Sequence, residues 1–276
     1  MRKKAISRTF IYIVLIIVAI YTLIPVVAVV TTSVRSEADL AQGPFSLPKE
    51  MRILENFKSA WIDGKFNVYF KNSIFITIPT VILVVALSTL AGYSFAKIHF
   101  PGANIVFSFM LIGMMIPFQA VMIPLYFLMK NLHLLDTTLG VILIITATSL
   151  SFGAFMMRAF FRGLPNELIE AAKLDGCTDL QTFWNVMLPL TIPAWISLII
   201  FQAIWTWNNL LIPLLFLYND KMRPLPLALY NFQDRYSTMY TLVAAAVMIT
   251  ILPLVVLFIL LQRKFVTSIT MGAIKG

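Results

Sequence analysis

Charge is scarce in this sequence. Only 12% of its 276 residues are Asp, Glu, Lys or Arg, against roughly 25% in soluble domains. The deficit is uneven, and long stretches carry no charge at all. Cysteine is nearly missing too: Cys177 stands alone, so an internal disulfide is excluded and the redox compartment cannot be read from thiols. The two histidines, His99 and His133, lie far apart near apparent loops with no metal-binding partners in sequence, so no metal ligand is nominated. A phosphate-binding loop of the form G-x-x-x-x-G-K-[ST] is also lacking, since Gly64-Lys65 has no upstream glycine. The sequence therefore nominates no catalytic residue, and the chain is not expected to be an enzyme.

What is abundant is apolar side chain: 60% of the residues, against roughly 45–50% in soluble chains even with glycine counted. A membrane-crossing helix needs about 20 such residues in a row. Six charge-free windows satisfy this, at 10–34, 72–96, 104–129, 138–157, 190–217 and 239–262. All are expected to be helices, because an open chain in lipid cannot pair its backbone polar groups otherwise. The expected architecture is an all-α integral membrane protein of six transmembrane helices, forming one domain over 1–276. Arg2, Lys3, Lys4 and Arg8 precede the first window in the manner of a secretory leader. Its apolar run exceeds the roughly 7–15 residues of such a leader, so it reads as a retained span.

Six spans put both termini on one side. With the N-terminus inside, inner segments hold eleven Lys and Arg and outer segments ten, and six of those ten lie in or beside the long segment 35–71. Long loops obey the positive-inside rule weakly. Discounting that loop, the bias places both termini in the cytoplasm, with 35–71 and 218–238 outside and 163–189 inside. The same rule accounts for the net charge of +9 without a nucleic-acid partner. No Asp, Glu, Lys or Arg falls within a window. That argues against a proton-coupled pump, whose relays use intramembrane charge, although a sodium site of carbonyls and hydroxyls remains open.

Segment 163–189 is the most informative stretch. Pro165 suits a first helical turn, and Glu167 and Glu170 suit the positive end of a helix dipole. Leu168, Ile169, Ala172 and Leu174 give a partial apolar face, and Gly176 can close the helix in the left-handed conformation. Thr178 with Gln181 three residues on is a capping box opening a second helix, which runs to Pro189. The prediction is a compact helix–turn–helix between the fourth and fifth spans.

Glu170-Ala171-Ala172, then Asp175-Gly176, then Leu188-Pro189 resembles the EAA loop of ABC importer permeases. Further stretches are similar to the carbohydrate (maltose-type) permeases of that family, most closely the smaller permease. They are Ala91–Lys97 with Phe100-Pro101-Gly102, Trp207–Leu214, and Gln262–Val266 with the closing Gly272–Gly276. Cys177 stands where the family usually has alanine or another small residue, and Asn209 where glutamate is frequent.

The resemblance implies a transport subunit for a sugar, with an oligosaccharide expected, in the bacterial cytoplasmic (inner) membrane. It would pair with a homologous second permease, two ATPase subunits and an extracytoplasmic sugar-binding protein. ATP and Mg would be bound by the ATPase, with no cofactor on this chain. Glu170, Ala171, Ala172, Asp175, Gly176, Leu188 and Pro189 would form the contact with the ATPase. Outer-loop residues Asp220, Lys221, Arg223, Asp234 and Arg235 would face the binding protein, or serve an ordinary solvated loop.

Gln119, Gln202, Asn208 and Asn209 are uncharged polar residues in or near spans. They fit either interhelical hydrogen bonds, worth about 0.6 kcal/mol each, or a polar lining for the translocation path. Trp205 and Trp207 fit sugar stacking or interfacial anchoring. Pro117, Pro124, Pro193 and Pro213 are expected to kink helices. The competing readings are a self-contained secondary transporter or channel, and an ABC importer for a non-sugar solute.

Overall fold

The computed structural model describes residues 2–43, 49–232 and 239–273, with side chains left aside at 2–8, 230–231 and 263–273. Among the described residues there are helices and loops and no strand. The helices in chain order are α1 (Arg2–Ser33), α2 (Glu37–Leu40), α3 (Ile53–Ile62), α4 (Phe66–Lys97), α5 (Ala103–Met115), α6 (Phe118–Asn131), α7 (Thr138–Arg162) and α8 (Glu167–Leu174). They continue with α9 (Asp179–Gln181), α10 (Leu188–Leu190), α11 (Ile192–Trp207), α12 (Leu211–Phe216), α13 (Leu225–Ala228) and α14 (Tyr240–Ala273).

Four helices are long and apolar enough to cross a bilayer: Thr9–Ser33, Phe66–Lys97, Thr138–Arg162 and Tyr240–Gln262. Up to six crossings result if each of two bent helix pairs counts as one span. The windows 104–129 and 190–217 are therefore not single straight helices. In the first, α5 and α6 meet at 102°. The cause is Ile116-Pro117: proline forces the preceding residue out of the helical region, and Ile116 is extended at φ −80°, ψ 117°. Pro117 is extended as well and opens α6. At the start of the second window the stretch Asp179–Leu190, upstream of it, meets α11 at 72°. α11 then ends at Trp207, and α12 starts only at Leu211.

The chain forms two compact units. The first comprises Met1–Asn67 and Ala228–Leu252. Within it the segment after α1 folds rather than loops freely. Arg35, Asp39 and Asn56 are buried. Asn56 donates to the Ser33 and Arg35 carbonyls at 3.0 and 2.8 Å. The Thr241 amide and hydroxyl both donate to Glu37 at 2.8 Å, fixing α2 to the start of α14.

The second unit comprises Val68–Leu227 and Pro253–Gly276. Here α4 and α7 approach closely because small residues face the contact, the usual device of membrane helices. A Cβ added at Gly92 would come within 2.5 Å of the Met157 Cβ and 2.8 Å of the Arg158 amide nitrogen, and one at Gly153 would overlap the Ser88 hydroxyl. Two apolar clusters flank this contact. One gathers Ile76, Val141, Ile145, Ile212 and Phe216, and the other Tyr93, Met157, Phe161, Phe183, Met187 and Leu198.

Candidate functional site

The segment predicted as helix–turn–helix is one. α8 ends in a Schellman closure: the Cys177 amide donates to the Ala172 carbonyl at 2.9 Å and the Gly176 amide to Lys173 at 3.1 Å. Gly176 sits at φ +82°, and a Cβ there would meet nothing within 4 Å. The turn thus favours glycine for backbone reasons alone. The capping box is complete, with the Thr178 amide donating to Gln181 Oε1 at 2.8 Å and the Gln181 amide to Thr178 Oγ1 at 3.3 Å. From Thr182 to Met187 the second helix widens into a π-turn. In a regular α-helix the Pro189 ring would crowd the Asn185 carbonyl, and a wider turn directly before it is one way out.

Its two faces differ. Leu168 and Ile169 pack on the Tyr93–Phe183 cluster, and Ala172 is buried. Leu174, expected on that face, is instead 89% exposed, because it stacks over Glu170, four residues earlier, on the opposite side of the helix. Glu170, Ala171, Asp175 and Gly176 are exposed with it, as is Leu180 across the turn. Leu188 is half-buried and Pro189 exposed. Lys173 and Asp179 pair at 3.1 Å across the turn, but both are well exposed, so the pair contributes about 0–1 kcal/mol.

The base of this knob is wedged into the helices. The Tyr93 ring of α4 lies 5.3 Å from Phe161 of α7 and 4.9 Å from Phe183 of the knob, in edge and tilted geometries. Aromatic pairs so placed are worth about 0.5–1.5 kcal/mol beyond burial. Lys97 Nζ donates to the Leu164 carbonyl at 2.7 Å and to Asn166 Oδ1 at 2.6 Å, tying the end of α4 to the approach to α8. Arg158 gives the same corner a buried cation that the charge windows had placed just beyond the fourth span. It donates to the Phe95 carbonyl at 3.1 Å and Asn104 Oδ1 at 3.0 Å, and lies 3.8 Å from the Phe107 ring centre. Its partners are at least fifty residues distant in sequence, so spacing gave no sign of them.

The polar residues considered for the path do not form one group. Gln202 is buried, and its amide donates to Ser149 of α7 at 3.1 Å and Thr206 of α11 at 2.9 Å, the geometry of an interhelical bond. Asn209 Oδ1 accepts from the Ile212 amide at 3.1 Å and so caps α12. Asn208 terminates α11 and is exposed, and Gln119 is exposed in the first turn of α6. Trp207 is buried edge-on to Phe70 at 5.8 Å, whereas Trp205 is 66% exposed.

The segment after α12 is more ordered than a solvated loop. Asp220 accepts from the Tyr69 hydroxyl at 2.6 Å and lies 4.0 Å from Arg223. Asn72 donates to the carbonyls of Lys221 and Arg223 at 2.8 and 3.0 Å. Asp234 and Arg235 lie outside the described residues.

Comparison with known proteins agrees with this architecture. Residues 85–270 match the family described as binding-protein-dependent transport system inner membrane component. An arabinooligosaccharide transport permease of Halalkalibacterium halodurans is 35% identical, the match covering 94% of this chain and 93% of that one. A diacetylchitobiose uptake permease of Streptomyces coelicolor is 32% identical over 95% of this chain and 87% of its own. A probable permease for starch degradation products from Thermoanaerobacterium thermosulfurigenes is 31% identical over the full length of both. Among solved structures, a chain of a bacterial ABC transporter that imports the polysaccharide alginate superposes with a TM-score of 0.84 at 26% identity, over 96% of this chain and 98% of that one. With two thirds of its length under one family model and full-length relatives above 30% identity, this chain belongs to the inner-membrane permease components of binding-protein-dependent ABC transporters.

Proposed function

We propose that this permease, together with a homologous second permease, forms the membrane path for an oligosaccharide. An extracytoplasmic binding protein delivers the sugar, and two ATPase subunits that carry the ATP and Mg drive the cycle. The similar permeases serve arabinooligosaccharides, diacetylchitobiose and starch degradation products, which supports the substrate class. Both termini and segment 163–189 are cytoplasmic in this reading, and 35–71 and 218–238 are external. Of the path candidates, Gln119 and Asn208 are the exposed pair and the natural ones to face a hydroxyl-rich solute. Glu170, Ala171, Ala172, Asp175, Gly176, Leu188 and Pro189 belong to the coupling segment. Asp220, Lys221, Arg223, Asp234 and Arg235 belong to the face turned to the binding protein.

The observation that carries the coupling assignment is the shape of the knob. An exposed tip of Leu174, Asp175, Gly176 and Leu180 is joined through a buried aromatic base to two long helices. Such a body transmits displacement without deforming. Glu170 makes no ion pair among the described residues, and its carboxylate is free to meet a basic group on the ATPase. Truncating a desolvated charge partner at an interface costs about 2–5 kcal/mol. Glu170→Ala is therefore expected to leave the chain inserted while abolishing oligosaccharide uptake and ATPase retention in a pull-down. Normal uptake at matched membrane levels would remove the assignment. Impermeant thiol labelling of single cysteines, after Cys177 is replaced, tests the topology: label reaching 163–189 from outside intact cells would invert it.

A further inference from the structure

The outer segment 216–225 is held at both ends by residues far away in sequence. At its start, Asp136 in the turn between α6 and α7 donates its amide to the Phe216 carbonyl at 2.9 Å. The Asp136 carboxylate accepts from the Tyr218 and Asn219 amides at 2.8 Å each. Further on, Asn219 caps the Lys221 amide at 3.1 Å. The first turns of α4 then take over. Tyr69 is 2% exposed yet delivers its hydroxyl to Asp220 at 2.6 Å. Asn72 bridges the Lys221 and Arg223 carbonyls, and Ser73 accepts from the Leu225 amide at 2.8 Å. Backbone groups in an ordinary solvated loop are satisfied by water. These are satisfied by side chains of other elements, which leaves Lys221 and the rim of the loop in one fixed attitude. α4 continues from here to Tyr93 at the base of the coupling knob, about 36 Å away at 1.5 Å per residue.

We infer that Tyr69 and Asn72 are positioning residues: they lock segment 220–225 to the outer end of α4 in the conformation that receives the binding protein. This rests on the reading that loop 218–238 touches that protein. A loop ordered beforehand does not have to be ordered on binding, and that saving appears as affinity. Tyr69→Phe keeps the buried ring and removes only the hydroxyl. Asn72→Ala releases two carbonyls to water at a half-buried site.

The test uses the complex recovered through a tag on this chain and reconstituted in liposomes. ATP hydrolysis is titrated with the binding protein that co-purifies with it. Each variant is expected to raise the half-saturating binding-protein concentration about fivefold, the size of one net hydrogen bond, with the maximal rate within about twofold of the parent. A half-saturating concentration that stays unchanged in both variants overturns the inference, and so does a loss confined to the maximal rate or to complex recovery, which would mark a merely structural role. In parallel, a photo-cross-linker at Lys221 captures the binding protein during turnover if the contact exists. Capture together with an unshifted titration sinks the positioning role alone. Failure of capture sinks the contact on which it rests.

Discussion

The two ends of α4 are held by different physics. At the N-terminal end, Tyr69, Asn72 and Ser73 grip a loop through directional hydrogen bonds, and the loop gains a fixed shape. At the C-terminal end, Tyr93 is packed against Phe161 and Phe183, and Gly92 lets α7 come into backbone contact. Hydrogen bonds define the attitude of a small surface and exchange readily with water. A close-packed aromatic joint resists compression and has only discrete arrangements. The former suits a surface that must present itself to a soluble partner, and the latter a joint that must pass a push to a long helix.

If the aromatic joint carries the push, dismantling it should have the largest effect of any single change. Phe183 is buried, and truncating a buried phenylalanine costs about 3–5 kcal/mol. Phe183→Ala is expected to loosen the knob from α4 while the long helices still insert. The signs would be lost uptake, protease sensitivity near 175–185 and an unchanged membrane level. Protease resistance equal to the parent would show that the joint does not depend on this ring. Gly92→Leu attacks the same end from the other side. Its Cβ has no room against Met157, and overpacking costs about 1–3 kcal/mol. A lower thermal midpoint of the detergent-solubilised chain is expected, and a midpoint equal to the parent's would mean α4 and α7 can part freely here.

These contrasts were unequally legible in the sequence. The knob at the C-terminal end of α4 shows itself locally. Gly176, the Thr178–Gln181 box and Pro189 lie within fourteen residues, and each acts on its neighbours. Charge-free windows located the long helices because lipid excludes charge along the whole of a span. The break at Ile116-Pro117 was only half visible. Proline signalled a kink, and the extended Ile116-Pro117 breaks the helix there, but the residue types alone do not give the 102° at which α5 and α6 meet. Leu174 reads as core by its apolar side chain alone, whereas its register puts it with Glu170 on the side of the helix away from Leu168 and Ala172. The N-terminal end of α4 was illegible. Asp220 and Arg223 read as a mixed-charge loop, since their partners Tyr69 and Asn72 stand about 150 residues earlier. Arg158 was hidden for the same reason.

A smaller effect separates backbone from side chain at the tip of the knob. Gly176 has a positive φ and open space around its absent Cβ. A β-branched residue there costs about 1–2 kcal/mol through the left-handed conformation alone, whereas asparagine adopts that conformation readily. Gly176→Val is expected to cut uptake and ATPase retention, with Gly176→Asn close to the parent if shape is what matters. Should asparagine fail as completely as valine, the tip must need close approach of a partner surface, which any side chain would obstruct. Comparing the two variants in one pull-down decides between the alternatives.

The smallest expected effect concerns the middle of the unit, between the two ends compared here. Gln202 bonds across to Ser149 and along its own helix to Thr206, and is buried. If this is an interhelical clasp, its removal should cost about 0.6 kcal/mol, the average for such bonds in membranes. Both hydroxyls left behind can turn back onto carbonyls of their own helices, as the Ser197 and Thr250 hydroxyls do here, so neither stays unpaired. Gln202→Leu keeps roughly the volume and removes the amide. The expected outcome is a barely lowered thermal midpoint, with the sugar concentration for half-maximal uptake and the maximal uptake rate both unchanged. A substrate-facing glutamine would behave otherwise. A site built to bond a hydroxyl loses selectivity when its partner group is removed, so discrimination among oligosaccharides of different length would change while the midpoint stayed put. Uptake competition with a ladder of oligosaccharides, run beside the thermal measurement, distinguishes the clasp from a lining of the path.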